Sequence, residues 1–245
     1  MSEAGSELQV RVAVIYYSAT GNVRGMARAV AEGAEGEGAE VRLRPVAELS
    51  EELRISADQY WGRHRSEVDE GPVAQIEDLE WADGLAFGTP TRFGNVAAQL
   101  KVFLDLAGEL WQQGKLIDKV ATSFTSSQTD HGGQESTILA LNNTLYHWGA
   151  IVLPLGYTVH EVFNGGGNPY GASFTSGHSV DGPNEETRLV ARAQGARLAR
   201  VDAAPRLLSN RSEMHECGAC IRNISASGES HSCRSSPSGE PYVAL

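Results

Sequence analysis

Residues 15–30 read IYYSATGNVRGMARAV, and the pattern of the chain changes within this stretch. Its first residues end a run rich in valine and isoleucine, residues 11–17, which is typical of a strand buried on both faces of a parallel sheet. From Val23 onward, apolar residues recur at helical spacing. The polar break at residues 18–22 therefore places a helix N-terminus at the end of a strand, where unpaired N–H groups and the helix dipole favour an anion.

The alternation of strands and helices continues along most of the chain. The predicted strands are residues 11–17, 41–43, 84–88, 120–124 and 151–153, and the last predicted helix covers residues 185–201. This order predicts an α/β fold with a doubly wound, five-stranded parallel sheet and helices on both faces. Such sheets bind ligands at the carboxyl ends of their strands. A long glycine-rich loop is expected after the fifth strand, and residues 47–82 show no regular pattern.

Composition excludes several classes of partner. The net charge of −11 argues against nucleic acid, because binding to a phosphate backbone depends on basic side chains. No apolar run reaches the roughly 18 residues that span a bilayer, so no integral membrane segment is expected. The first residues lack the basic and apolar regions of a signal peptide, and we therefore expect a cytoplasmic protein.

The two ends of the chain differ in composition from its body. From residue 207 onward the pattern changes to serine, glycine, histidine and cysteine without apolar periodicity, which predicts a disordered tail over residues 207–245. Residues 1–10 are interpreted as an N-terminal extension. Cys217 and Cys220 form a C-x-x-C pair, but no second pair follows, so no metal site is predicted. The ligand-binding domain is expected within residues 11–206.

The first loop indicates a ligand with one phosphate. Neither the triphosphate-binding pattern G-x-x-x-x-G-K-[ST] nor the dinucleotide pattern G-x-G-x-x-G follows the first strand. The hydroxyls of Ser18 and Thr20, with the N–H groups from Thr20 to Val23, could surround a phosphate monoester without a cationic side chain. The alternative interpretation of this stretch is an ordinary helix-capping loop.

Two further strand ends carry flexible polar loops. GTPTRFGN at residues 88–95 and TSSQTDHGGQE at residues 125–135 offer backbone groups that could bind the ring nitrogens and carbonyls of a flat heterocycle. A single phosphate attached to a flat redox-active ring describes flavin mononucleotide, FMN.

The combination of motifs resembles a known family. Residues 18–23 match the [ST]-x-T-G-x-T loop of flavodoxin-like proteins except at the final Val23. GTPTRFGN, HGGQE and NPYGA, in this order, resemble the WrbA family of FMN-dependent NAD(P)H:quinone oxidoreductases, which are tetramers. The resemblance covers residues 11–202 and implies a flavodoxin-like fold, FMN as the cofactor, NADH or NADPH and a quinone as substrates, and a homotetramer.

The resemblance also implies roles for individual residues. It implies a catalytic role for His147, which reaches the flavin of a neighbouring subunit, and a substrate-side position for Thr20 and Trp111. The implied FMN ligands are Ser18, Ala19, Thr20, Gly21, Asn22 and Val23 in the first loop, Thr91, Arg92 and Phe93 in the second, Ser126, Ser127, Gln128, Thr129, Asp130, His131 and Gly132 in the third, and His147. Thr20 departs from the family, because many members have an aromatic residue at this position. The segment of residues 47–82 is also longer than is usual in the family.

The residues alone leave alternatives open. Arg92 is either a solvated surface residue or a partner of the flavin in its anionic reduced form. His147 lies on an amphipathic helix, where a packing role is the common one, and Trp111 and Phe93 could belong to the core. A flavodoxin-type one-electron carrier is the alternative function. The additional residues 91–114 and 156–183 favour an enzyme, because they could form a substrate pocket and subunit contacts.

Overall fold

The computed structural model describes residues 9–49, 71–177 and 182–203. The strands are β1 Arg11–Tyr16, β2 Glu40–Pro45, β3 Gly84–Pro90, β4 Val120–Ser127, β5 Ile151–Val152 and β6 Ser173–Thr175. The helices are α1 Asn22–Gly36, α2 Ile76–Trp81, α3 Ala98–Asp105, α4 Gly108–Gln112, α5 Gln134–His147, α6 Glu161–Asn164 and α7 Glu185–Ala203. The predicted N-terminal extension, disordered tail and cysteine pair lie outside the described residues, apart from residues 9 and 10.

All strand pairs in the sheet are parallel, in the order β2-β1-β3-β4-β5. Strands β1, β3 and β4 occupy the centre and are almost entirely buried. This burial is expected for the largely apolar β1 and β3, whereas β4 also buries five serine and threonine residues. The α/β fold with a parallel sheet is therefore confirmed. Because β1, β3 and β4 are neighbours, the loops that follow them lie side by side at one edge of the sheet.

The glycine-rich region after β5 is more structured than the sequence indicates. Strand β5 has only two residues and pairs with the beginning of β4, at Val120 and Ala121. Strand β6 pairs with the end of β4, at residues 125–127. Strand β3 pairs with β4 along the opposite side of β4. Strands β5 and β6 therefore both lie on the remaining side of β4, one at its beginning and one at its end. The expected loop contains α6 and this sixth strand.

Helices cover both faces of the sheet, as predicted. On one face, α1 and α7 pack around a core that includes Val14, Met26 and Leu198. On the other face, α2 to α5 pack around a second core that includes Phe87, Leu104 and Leu141. No described helix combines the length and the low polarity that a bilayer crossing requires.

Glycines allow the close crossing of α1 and α7. A Cβ atom at Gly195 would overlap the carbonyl oxygen of Val30, and one at Gly33 would overlap the carbonyl oxygen of Arg192. Backbone oxygens cannot move aside as flexible side-chain ends can. The two helices therefore approach each other through positions where only hydrogen fits.

Gly195→Ala is expected to lower the free energy of unfolding by about 3 kcal/mol, because the added methyl group forces α1 and α7 apart. Urea unfolding followed by circular dichroism measures the change. Gly36→Ala is the matched control, because a Cβ at this exposed position at the end of α1 meets nothing within 4 Å. The control should be neutral or stabilising by up to about 1 kcal/mol. Equal effects of both variants would contradict the described crossing.

Candidate functional site

Three loops meet at the edge of the sheet where the parallel strands end. They follow β1, β3 and β4 and contain the residues that the sequence assigns to phosphate and ring binding. The N–H of Thr91 donates to the carbonyl of Ser126 at 2.8 Å, which ties the second loop to the end of β4. The structure thus brings together the three polar loops that the sequence singled out.

The first loop leads into the first turn of α1. Gly21 has a φ of +88°, a left-handed conformation that favours glycine, and its N–H donates to Ser18 Oγ at 3.1 Å. The Asn22 side chain is buried, its Nδ2 donates to Thr20 Oγ1 at 3.1 Å, and its Oδ1 is buried without a hydrogen-bond partner. The N–H groups of Asn22 and Val23 belong to the first turn, where a helix offers no acceptor of its own.

The second loop is a tight hairpin turn in which two consecutive residues, Arg92 and Phe93, differ in their exposure to solvent. The N–H of Arg92 donates to Asn95 O at 2.8 Å, and the N–H of Asn95 donates back to Arg92 O at 3.0 Å. Between them, Phe93 and Gly94 have φ values of +53° and +74°, as in a type I′ turn. Phe93 is fully exposed, so it does not belong to the core. Arg92 is largely buried, and this burial lowers the pKa of its guanidinium.

Phe93 occupies a backbone conformation that costs a bulky residue about 1–2 kcal/mol while its ring contacts solvent. Strain at an exposed aromatic side chain indicates selection for function. Phe93→Gly is expected to leave the free energy of unfolding unchanged or raise it by up to about 1 kcal/mol. The Kd for FMN should rise about tenfold, because a stacking surface is lost. Thermal unfolding and flavin fluorescence titration measure the two effects. Clear destabilisation together with unchanged ligand binding would contradict this role.

The third loop is held to the second by hydroxyl groups and glycines. Thr91 Oγ1 donates to Gly132 O at 3.2 Å and accepts from the hydroxyl of Thr137 at 2.8 Å. A Cβ at Gly133 would lie 2.8 Å from Gly94 Cα, so the two loops approach closely because both positions are glycine. The side chain of Thr91 therefore joins the loops, and its contact with FMN remains a prediction.

Residues of the third loop divide into two groups. Ser126 and Ser127 are buried at the end of β4, and Ser127 Oγ donates to Thr129 O at 2.7 Å and accepts from Gln134 Nε2 at 2.7 Å. Residues 128–131 form an exposed tip. The tip is the exposed part of this loop, and the carbonyls of Gln128 and Thr129 within it accept hydrogen bonds from the same chain.

Trp111 and His147 lie elsewhere in the chain. Helix α5 starts at Gln134, beside the three loops, and ends at His147, just before β5 begins alongside β4. Fourteen residues at 1.5 Å per residue separate the helix ends by about 20 Å. Trp111 Nε1 donates to His147 O at 2.9 Å, so Trp111 lies at the same distant end. Within one chain, these two residues do not join Phe93 and the other loop residues.

Comparisons with known proteins relate this geometry to a family. A family model described as NADPH-dependent FMN reductase matches residues 10–164. A protein of Sinorhizobium fredii named NAD(P)H dehydrogenase (quinone) is 46% identical over 201 residues, which cover 79% of this chain and 97% of the relative. The chain belongs to the NAD(P)H dehydrogenase (quinone) family. A Deinococcus radiodurans member with the same name is 42% identical, with 68% and 84% of the two chains covered.

Solved structures agree with this family. The crystal structure of a flavodoxin, WrbA-like protein from Agrobacterium tumefaciens shares 27% identity with a TM-score of 0.56 and covers 79% of this chain and 98% of that chain. A flavodoxin from the domain Archaea, at 16% identity and a TM-score of 0.52, supports the fold alone. The resemblance to WrbA and the flavodoxin-like fold are confirmed, and the one-electron carrier is not favoured within the NAD(P)H dehydrogenase (quinone) family.

Proposed function

We propose that this chain is an FMN-dependent oxidoreductase that takes a hydride from NADH or NADPH and delivers two electrons to a quinone. The observation that carries the proposal is the meeting of the three loops at one sheet edge in a member of this family. Bound FMN supplies the redox chemistry, since its ring accepts a hydride and passes two electrons on. The protein residues bind the cofactor, orient it and set the charge around its ring.

The first loop fits a phosphate. It offers hydroxyls at Ser18 and Thr20 and first-turn N–H groups at the positive end of the 15-residue helix α1. Rotating the buried Asn22 carboxamide by 180° keeps its hydrogen bond with the Thr20 hydroxyl. The rotation also places an N–H donor at the position where Oδ1 has no hydrogen-bond partner. All of these donors suit the oxygens of a phosphate monoester.

The second and third loops fit a flat ring. The exposed tip of the third loop presents backbone groups for the polar edge of the ring, and Phe93 presents an aromatic face at the same edge of the sheet. Stacking and contact area dominate the recognition of flat aromatic ligands such as a flavin or a quinone. A nicotinamide and a quinone that use the same exposed face of the ring cannot bind together.

We further propose a homotetramer in which neighbouring subunits complete each site. Trp111 and His147 lie about 20 Å from the FMN loops of their own chain, so they can contact only the flavin of another copy. The helical face that carries them exposes apolar side chains, which favours association of copies; these are Val102, Leu106, Trp111, Leu139 and Tyr146. Light scattering of the purified protein tests the tetramer.

The reductant also implies a location. NADH and NADPH are held inside cells, so the proposed activity places the protein in the cytoplasm, and cell fractionation tests this assignment.

Steady-state kinetics test the proposed reaction. Protein from which flavin has been removed should oxidise NADH with a quinone only after FMN is added. Initial rates at several fixed quinone concentrations should give parallel double-reciprocal lines, because the two substrates use one face of the ring in turn. Activity that does not depend on FMN would contradict the proposal, and so would intersecting lines.

A further inference from the structure

Three polar side chains form a hydrogen-bonded group beside the second loop. Tyr17 OH donates to Glu48 Oε2 at 3.0 Å, and Gln99 Nε2 donates to Glu48 Oε1 at 2.6 Å and to the Tyr17 oxygen at 3.0 Å. These residues come from the loops after β1 and β2 and from the start of α3. They form a polar cluster at the sheet edge where the FMN loops meet.

The donors around Glu48 hold a negative charge in place. Tyr17 is buried, and its hydroxyl, the Gln99 amide and the N–H of Leu49 bind the two carboxylate oxygens of Glu48. These three donors are neutral groups, and they fix the orientation of the carboxylate. The carboxylate is also shielded in part from water, which strengthens its effect on nearby charges.

Arg92 is a cation on which this carboxylate acts. The strand order β2-β1-β3 places Tyr17 between Glu48 on one side and the loop of Arg92 on the other. Burial lowers the pKa of the Arg92 guanidinium, and the nearby Tyr17 and Glu48 act in the opposite direction. Arg92 lies in the loop assigned to the flavin ring, and Glu48 is close enough to act on its charge.

We propose that Glu48, held by Tyr17 and Gln99, is a positioning residue that offsets the charge of Arg92 and thereby lowers the midpoint potential of bound FMN. The inference rests on the proposed function. Reduction by a hydride adds two electrons and one proton to a neutral ring, so the ring gains one negative charge. Arg92 favours this added charge and Glu48 opposes it, and the potential reflects the balance between them.

Glu48→Gln tests the inference because it keeps the shape of the side chain and removes its charge. The variant should bind oxidised FMN within about threefold of the wild type and reduced FMN about tenfold more tightly. For a two-electron couple this ratio corresponds to a rise of about 30 mV in midpoint potential. Dye-equilibrated reduction measures the potential, and fluorescence titration measures the affinity for oxidised FMN.

Two further variants separate charge from structure. Glu48→Asp retains the charge and should stay within about 10 mV of the wild type, roughly a twofold ratio or less. Glu35→Gln removes a charge from the exposed end of α1 and should have no effect. An unchanged or lowered potential in Glu48→Gln would overturn the inference, as would equal shifts in Glu48→Gln and Glu48→Asp. Failure of the wild-type protein to bind FMN would instead contradict the proposed function.

Discussion

Replacing Thr20 by glutamate is expected to raise the Kd for FMN by about a thousandfold. The first loop offers a phosphate only neutral donors and a helix N-terminus, and the new carboxylate would lie against the phosphate. Two unit charges about 4 Å apart repel each other by about 4 kcal/mol at an effective dielectric constant of 20, which corresponds to roughly a factor of 10³ in Kd. Flavin fluorescence titration measures this loss.

Two controls separate charge from other effects of the Thr20 substitution. Thr20→Val keeps the size of the side chain and removes only its hydroxyl, so the Kd should rise by about tenfold or less, the value of one hydrogen bond. Gln9→Glu adds the same charge before β1, at the opposite edge of the sheet, and should leave FMN binding unchanged. Wild-type affinity in Thr20→Glu would remove the first loop from the FMN site.

His147→Ala should slow reduction of the quinone by about 10- to 100-fold and spare hydride transfer from NADH. Reduction of a quinone to its hydroquinone consumes two electrons and two protons, and an imidazole near the quinone oxygen could donate a proton. Hydride transfer from nicotinamide to the flavin requires no such donor. Stopped-flow absorbance measures the two half-reactions separately. Equal slowing of both would show that His147 only positions the flavin, and no change in either would indicate a packing role.

Mixing two inactive variants tests whether neighbouring subunits share sites. Thr20→Glu lacks FMN but retains His147, whereas His147→Ala binds FMN but lacks the imidazole. In an oligomer with shared sites, hybrids formed by denaturing and refolding a mixture contain sites with both parts. Quinone reduction should therefore recover after mixing. No recovery from hybrids whose formation is verified by native mass spectrometry would place His147 outside the neighbouring site.

The sequence indicates the sheet and its loops because those features are local. A run rich in valine and isoleucine marks β1, and short apolar stretches mark β3 and the beginning of β4. The polar breaks after these strands mark loops that parallel topology brings together. Strand β6 was not predicted, because its three residues lie in a glycine-rich region and show too little periodicity. Its existence depends on pairing with β4, which is distant in sequence.

The contacts in the candidate site that were not predicted join segments that are distant in sequence. Tyr17, Glu48 and Gln99 come from three segments of ordinary composition, and only the fold brings their side chains together. Trp111 and His147 lie 36 residues apart, and the hydrogen bond that joins them leaves no periodic pattern. The glycine pair of HGGQE was visible in the sequence, but its close approach to Gly94 required the positions of both loops.

The most direct test of the central claim is an anaerobic titration of the FMN-loaded protein with NADH, or NADPH, followed by a quinone. The proposal predicts that flavin absorbance is bleached in one two-electron phase at one nucleotide per FMN. One equivalent of quinone should then restore the absorbance in full. A protein that binds no FMN would contradict the proposal, and bleaching in two separate one-electron phases would indicate a carrier instead.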